Sequence, residues 1–132
     1  HNAVCVAQRT HERVLQEHGS LSPDVHLRYS GPFPQGDTYQ GVYIDDLLVM
    51  GITDCNLAGD LTQGKDMDLL KRARAAYDVA GLPKAEAKSY TAQACFTAWG
   101  TECNSDTGQC CAPSGRRLQL VVLCALMLSA PM

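Results

Sequence analysis

Two carboxylates stand side by side at Asp45 and Asp46, between the apolar runs Val42-Tyr43-Ile44 and Leu47-Leu48-Val49. Val, Ile and Tyr favour strands, and Asp tolerates turn geometry. The pattern predicts a β-hairpin, with strands over 39–44 and 47–52 and acid at its tip. Adjacent like charges repel unless something positive sits between them, and a divalent cation is the usual answer. Asp45 and Asp46 are therefore candidate metal ligands. The competing reading is a solvated turn.

The elements that must position this tip follow from periodicity and turn residues. Residues 2–18 read as a helix with Val4, Ala7, His11, Val14 and His18 near one face and Gly19 as its stop. His11 and His18 share that face but are too far apart to chelate one ion, and with His26 they are expected as surface or half-buried polar residues. Residues 19–37 are loop-like, with Pro23, Pro32, Pro34 and three glycines. A polar connector covers 53–65. A second helix runs over 66–80, acidic at its start as the helix dipole favours, with Leu70, Ala73, Tyr77 and Ala80 as its apolar stripe and Gly81 and Pro83 as its end. Cys95 to Cys103 reads as a strand, Asn104 to Gly108 as a turn, and Gln109 to Ala112 as a returning strand. A final helix is expected beyond Pro113. This order implies an α+β fold with antiparallel pairs.

Composition sets further bounds. A chain of 132 residues with 45% hydrophobic content is ordinary for one small globular domain. A net charge of −3 counts against strong autonomous binding to nucleic acid. The seven cysteines include no Cys-x-x-Cys pair, and no histidine follows His26, so a zinc site is not expected. The polar start gives no signal peptide, and the cysteines read as reduced intracellular thiols. The apolar run from Leu118 to Met132 is shorter than the roughly 20 residues a membrane span needs. It reads as a helix packing on something else, with a lipid anchor as the lesser alternative and no membrane partner expected.

Tyr43-Ile44-Asp45-Asp46 between hydrophobic flanks resembles the metal-binding hairpin of reverse transcriptases. Two further blocks agree with that family in order and spacing. Ala80-Gly81-Leu82-Pro83 followed by Lys88 is similar to the end of the palm helix and the lysine-bearing turn after it. Phe96-Thr97-Ala98-Trp99-Gly100-Thr101-Glu102 is similar to the strand of the primer-grip hairpin. The first helix, with Asn2-Ala3-Val4 at its start, is similar to the helix that follows the template-contacting block. The resemblance covers residues 1 to about 117 and points to retrotransposon-type enzymes.

The resemblance implies a partial palm of an RNA-directed DNA polymerase, a nucleotidyltransferase that uses Mg²⁺ or Mn²⁺. Asp45 would be a principal ligand, with Asp46 assisting the metal or holding the turn. Tyr43 would sit beside the primer terminus or the template-primer groove, and Ile44 would pack into the palm. Lys88 matches the lysine held to protonate the leaving pyrophosphate, with Lys84 as a competitor for the role and a solvated surface lysine as the plain alternative. Trp99 and Gly100 would position the primer end, unless Trp99 is simply core. The implied division is a partial palm at 1–94, a primer-grip-like hairpin at 95–113 and the start of a thumb helix or apolar tail at 114–132. The implied partners are template-primer nucleic acid and a deoxynucleoside triphosphate, together with missing fingers, palm and thumb segments.

The chain departs from a complete enzyme. The family needs another catalytic Asp on an earlier strand. Asp24 with Tyr29 imitates that block but follows the first helix and lies too close to Asp45. Pro34-Gln35-Gly36 imitates the Pro-x-Gly of the template-contacting block but leads into a strand instead of a helix. Asp24 and Asp37 are expected to be loop residues. The chain opens on His1, which reads as a fragment or an incomplete gene model, and without the further Asp it is expected to be a piece of a longer RNA-directed DNA polymerase, inactive alone. The alternative is a degenerate, non-enzymatic retroelement remnant with at most weak protein or nucleic-acid binding. A third reading is an unrelated small binding domain whose Asp-Asp turn holds a cation structurally.

Overall fold

The structure is a computed structural model that describes residues 2–54 and 62–129. The elements in order are α1 (Asn2–Glu17), β1 (His26–Leu27), β2 (Thr38–Tyr43), β3 (Asp46–Gly51), α2 (Lys65–Ala80), a 3-10 turn (Glu86–Lys88), β4 (Cys95–Ala98), β5 (Thr101–Asn104), β6 (Gln109–Cys111) and α3 (Ser114–Ser129). This is an α+β chain. It divides into one compact unit ending at Ala92 and a second beginning at Gln93. The connector expected at 53–65 falls largely on residues 55–61, outside the described residues.

In the first unit the sheet order is β1-β2-β3, with β1 parallel to β2 and β2 antiparallel to β3. Side chains alternate across a strand. Thr38, Gln40 and Val42, with Leu47 and Val49 opposite the last two, therefore share one face. That face carries the helices: Val42 clusters with Leu15 and Leu21 and with Ala73 and Ala76 of α2, and Val14, Leu47 and Tyr77 pack around them. On the other face Tyr39 is covered by Phe33, ring centroids 4.9 Å apart, while Tyr43 and Asp46 are exposed. The sheet is thus backed by both long helices on one side and partly open on the other.

The helical stripes differ from those expected. On α1 the packed residues are His11, Val14 and Leu15, whereas Val4, Ala7 and His18 are exposed. On α2 the buried set is Leu69, Ala73 and Ala76, with Tyr77 half-buried and Ala80 exposed. Both shifts have one cause. Each helix meets the sheet over a short length, so only the turns over β2 and β3 are covered. Helix ends are as expected. Gly19 (φ 66°) and Gly81 (φ 66°) adopt the left-handed conformation that glycine accepts without strain. The N–H of Leu82 then returns to the carbonyl of Tyr77 at 2.9 Å.

Three strand assignments need correction. The hairpin strands begin one residue earlier than expected, so Ile44 and Asp45 form the turn and Asp46 opens β3. Residues 26–27, expected as loop, pair with β2, and the Gln40 N–H reaches the Val25 carbonyl at 2.8 Å. The strand expected over 95–103 is instead two strands, β4 and β5, turning at Trp99 (φ 51°) and Gly100 (φ 75°). Two successive positive φ values suit the twist of a two-residue hairpin. Nothing about a tryptophan advertises such a turn. The second sheet is the meander β4-β5-β6.

No described residue of the second unit is buried. Its helix α3 leaves Leu118, Val121, Val122, Leu123, Leu126, Met127 and Leu128 each at least half exposed. Among the described residues, no helix is long and apolar enough to cross a membrane. Exposed contiguous apolar surface favours self-association. Sedimentation of the full chain should therefore show mass rising with concentration, and deletion of 118–132 should remove that dependence. Flotation of a monomeric full chain on lipid vesicles, lost on the same deletion, would instead make the tail an anchor.

Candidate metal-binding hairpin

Tyr43 and Asp46 face each other across the end of the ladder, and Ile44 and Asp45 complete a two-residue loop. Ile44 has φ 57°. A β-branched residue in the left-handed region is a genuine outlier, costing on the order of 1–3 kcal/mol. Such a conformation persists only if its surroundings over-determine it.

Here the determinant is a buried imidazole. His11 of α1 places Nδ1 3.0 Å from the Ile44 carbonyl oxygen. A carbonyl can only accept, so Nδ1 carries the hydrogen. Nε2 lies 2.6 Å from the hydroxyl of Tyr77 on α2, which donates to it in the neutral ring. The two rings are tilted at 51° with centroids 5.4 Å apart. Burial pushes the Tyr77 phenol well above its ordinary pKa, so the hydroxyl keeps its proton. One side chain thus joins α1, α2 and the hairpin tip.

The clamped turn presents Asp45 and Asp46 to solvent. Neither carboxylate forms an ion pair with a described Lys, Arg or His. Asp46 shares the partly open face with Tyr43, Leu48 and Met50. The donor chemistry suits a hard divalent cation in part: two exposed, unneutralised carboxylates on a fixed turn. Among the described residues, no group of three or more His, Cys, Asp or Glu side chains is placed to hold a metal ion.

The other acidic candidates lie elsewhere. Asp66 packs against Gly51, where an added Cβ would come within 2.9 Å of its Cγ. Gly51 ends β3 opposite the turn, about 17 Å along the strand by its usual rise. Asp24 is an exposed turn residue whose N–H meets the Ser22 hydroxyl at 3.4 Å. Pro34-Gln35-Gly36 lies in irregular chain before β2, and the Gly36 carbonyl accepts a 2.5 Å bond from the Tyr39 hydroxyl.

Of the other predicted site residues, Tyr43 is 54% exposed beside Asp46. Lys88 ends the 3-10 turn, exposed, with no ion pair to the acid pair. Its competitor Lys84 is engaged with Asp78 at 2.5 Å. Trp99 and Gly100 form the β4–β5 turn of the second unit rather than a strand. The hairpin therefore brings Tyr43, Asp45 and Asp46 together, and contacts within the first unit do not add Lys88 to them. Sequence reasoning missed the roles of His11 and Tyr77. Both lie on expected apolar stripes, but they are 66 residues apart, and periodicity cannot see a bond between two helices. Comparison with known proteins finds no matching family model, no matching curated protein and no matching solved structure.

The clamp predicts non-additive energetics. Urea unfolding should show His11→Phe costing about 2 kcal/mol, since it strands a carbonyl and a hydroxyl, and Tyr77→Phe costing about 1 kcal/mol. The double variant should cost less than the sum, because the two groups share one bond. Additive losses would show that the two residues act independently.

Proposed function

We propose that this chain is part of the palm of an RNA-directed DNA polymerase of retrotransposon type and that Asp45 and Asp46 supply carboxylates to its metal site. The observation that carries the reading is the strained Ile44 turn, held by His11 and offering two carboxylates with no ion pair among the described residues, from a hairpin backed by two helices. Backbone strain kept in place by buried contacts is characteristic of functional turns. The Tyr-Ile-Asp-Asp order and the blocks at 80–88 and 96–102 give the reading its family.

Bound Mg²⁺ or Mn²⁺ would supply charge stabilisation for nucleotidyl transfer. Within this chain, Asp45 and Asp46 offer hard oxygen donors, and the clamp fixes where they point. Tyr43, exposed on the same face as Asp46, offers a ring and hydroxyl beside that site for a primer terminus. Lys88 would act on the pyrophosphate only if the complete enzyme brings its turn to the tip. Two carboxylates fill only part of a cation's coordination sphere, so the remaining donors would come from the triphosphate, water and a carboxylate of the complete polymerase.

Primer extension tests this reading. The chain alone should extend no primer. Joined to an upstream segment carrying the further aspartate strand, it should do so, and Asp45→Asn should then lower the rate by several orders of magnitude, because charge at the metal site carries most of phosphoryl-transfer catalysis. Wild-type-like extension by the Asp45→Asn enzyme would remove Asp45 from the mechanism.

A further inference from the structure

The three short strands of the second unit carry four cysteines, Cys95, Cys103, Cys110 and Cys111, and α3 carries a fifth, Cys124. Cys103 of β5 and Cys110 of β6 are directly opposite each other in the ladder. The Cys110 thiol points at the Cys103 sulfur, 3.4 Å away. Alternation puts Cys95 and Cys111 on the opposite face of the sheet, opposite Asn104 and Glu102 respectively.

The phase of the ladder favours a bond between the first two. The Ser105 N–H donates to the Ala94 carbonyl at 3.1 Å. Counting inward, Phe96 and Cys103 form the next pair that exchanges backbone bonds, so the backbone groups of Cys103 face β4. Cys103 and Cys110 are then a pair without mutual backbone bonds. In such pairs the Cα atoms stand about 4.5 Å apart and side chains approach most closely, which lies inside the range a disulfide can span.

A second observation says what a bond here would do. None of the described residues of this unit is buried, on the strands or on α3. A unit this small, without a core, ordinarily needs a covalent or metal staple or a partner. Among the described residues, no cysteine cluster is arranged to hold a metal.

We propose that Cys103 and Cys110 are a thiol pair that closes into a disulfide across the β5–β6 hairpin and so staples a unit with no buried core. The oxidant is a small-molecule disulfide such as glutathione disulfide. Cys110, the exposed member, attacks one of its sulfurs as the thiolate, forms a mixed disulfide and releases one glutathione thiolate. Cys103 then loses its proton to solvent and attacks the Cys110 sulfur. The Cys103–Cys110 bond forms, and the second glutathione thiolate leaves. Both released thiolates take up protons, so two protein thiols are oxidised and one glutathione disulfide is reduced to two thiols. Partial desolvation on the half-covered strand, and then the hydrogen bond with Cys110, push the Cys103 thiol up to about 11. The second step should therefore quicken as pH rises.

The test uses the full chain in mixed glutathione and glutathione disulfide buffers, followed by alkylation and cleavage at Asp106, which separates the two cysteines. A bridged peptide pair should appear ahead of any other pairing and persist in the Cys111→Ser chain. In Cys103→Ser, Cys110 should stop as the glutathione mixed disulfide. Amide exchange across 95–111 should slow about tenfold or more in the bridged wild type, as closing a short loop predicts. A glutathione adduct that persists on Cys110 of the wild type, a bridge that forms preferentially through Cys95 or Cys111, or unchanged exchange after bridging would each overturn the proposal.

Discussion

His11 holds the Ile44 carbonyl with one ring nitrogen and the Tyr77 hydroxyl with the other, and the geometry of the first unit depends on both bonds. Without them the left-handed Ile44 would relax, because a β-branched side chain gains nothing from that conformation. The two helices would also lose a polar link beside a small core, in which Leu15 is the largest fully buried apolar member. A small core tolerates little slack. A directional bond to the turn therefore orients the tip in a way that apolar contact, which has no direction, cannot.

The same core contains a cost. Gln40 is fully buried on the helix face of β2, and neither its side-chain oxygen nor its nitrogen has a hydrogen-bond partner among the described residues. Burying a carboxamide unpaired costs on the order of 1–3 kcal/mol. The second unit has the opposite weakness, since none of its described residues is buried. It holds together through its ladders, the cross-strand contact of Cys103 and Cys110 and turn bonds such as that of the Thr107 N–H to the Asn104 side chain at 3.1 Å.

Much of the architecture was legible in the residues. The helices at 2–17 and 65–80 announce themselves by period and by Gly19 and Gly81, and the hairpin around Asp45 by two apolar runs flanking an acid pair. What escaped depends on contacts distant in sequence. The β1 pairing involves two residues, too few to show a period. The packed faces of α1 and α2 are set by where the sheet ends, so Leu15 and Leu69 replace Val4 and Leu70. The Trp99 turn hides because tryptophan ordinarily signals a strand. The acid pair itself was readable, yet its clamp was not: a histidine on an apolar stripe looks the same whether it meets solvent, a phenol or a strained carbonyl.

Asp45 and Asp46 are proposed as a cation site because the clamped turn fixes both carboxylates in solvent. Titration of the isotopically labelled chain with Mn²⁺, read as paramagnetic broadening of backbone amides, tests it most directly. Broadening should centre on residues 43–47 at about millimolar Mn²⁺, as two carboxylates and water would give. It should vanish in Asp45→Asn/Asp46→Asn and weaken in His11→Phe. Strongest broadening at Asp66 and Asp68, or broadening at the tip that survives loss of both carboxylates, would contradict it.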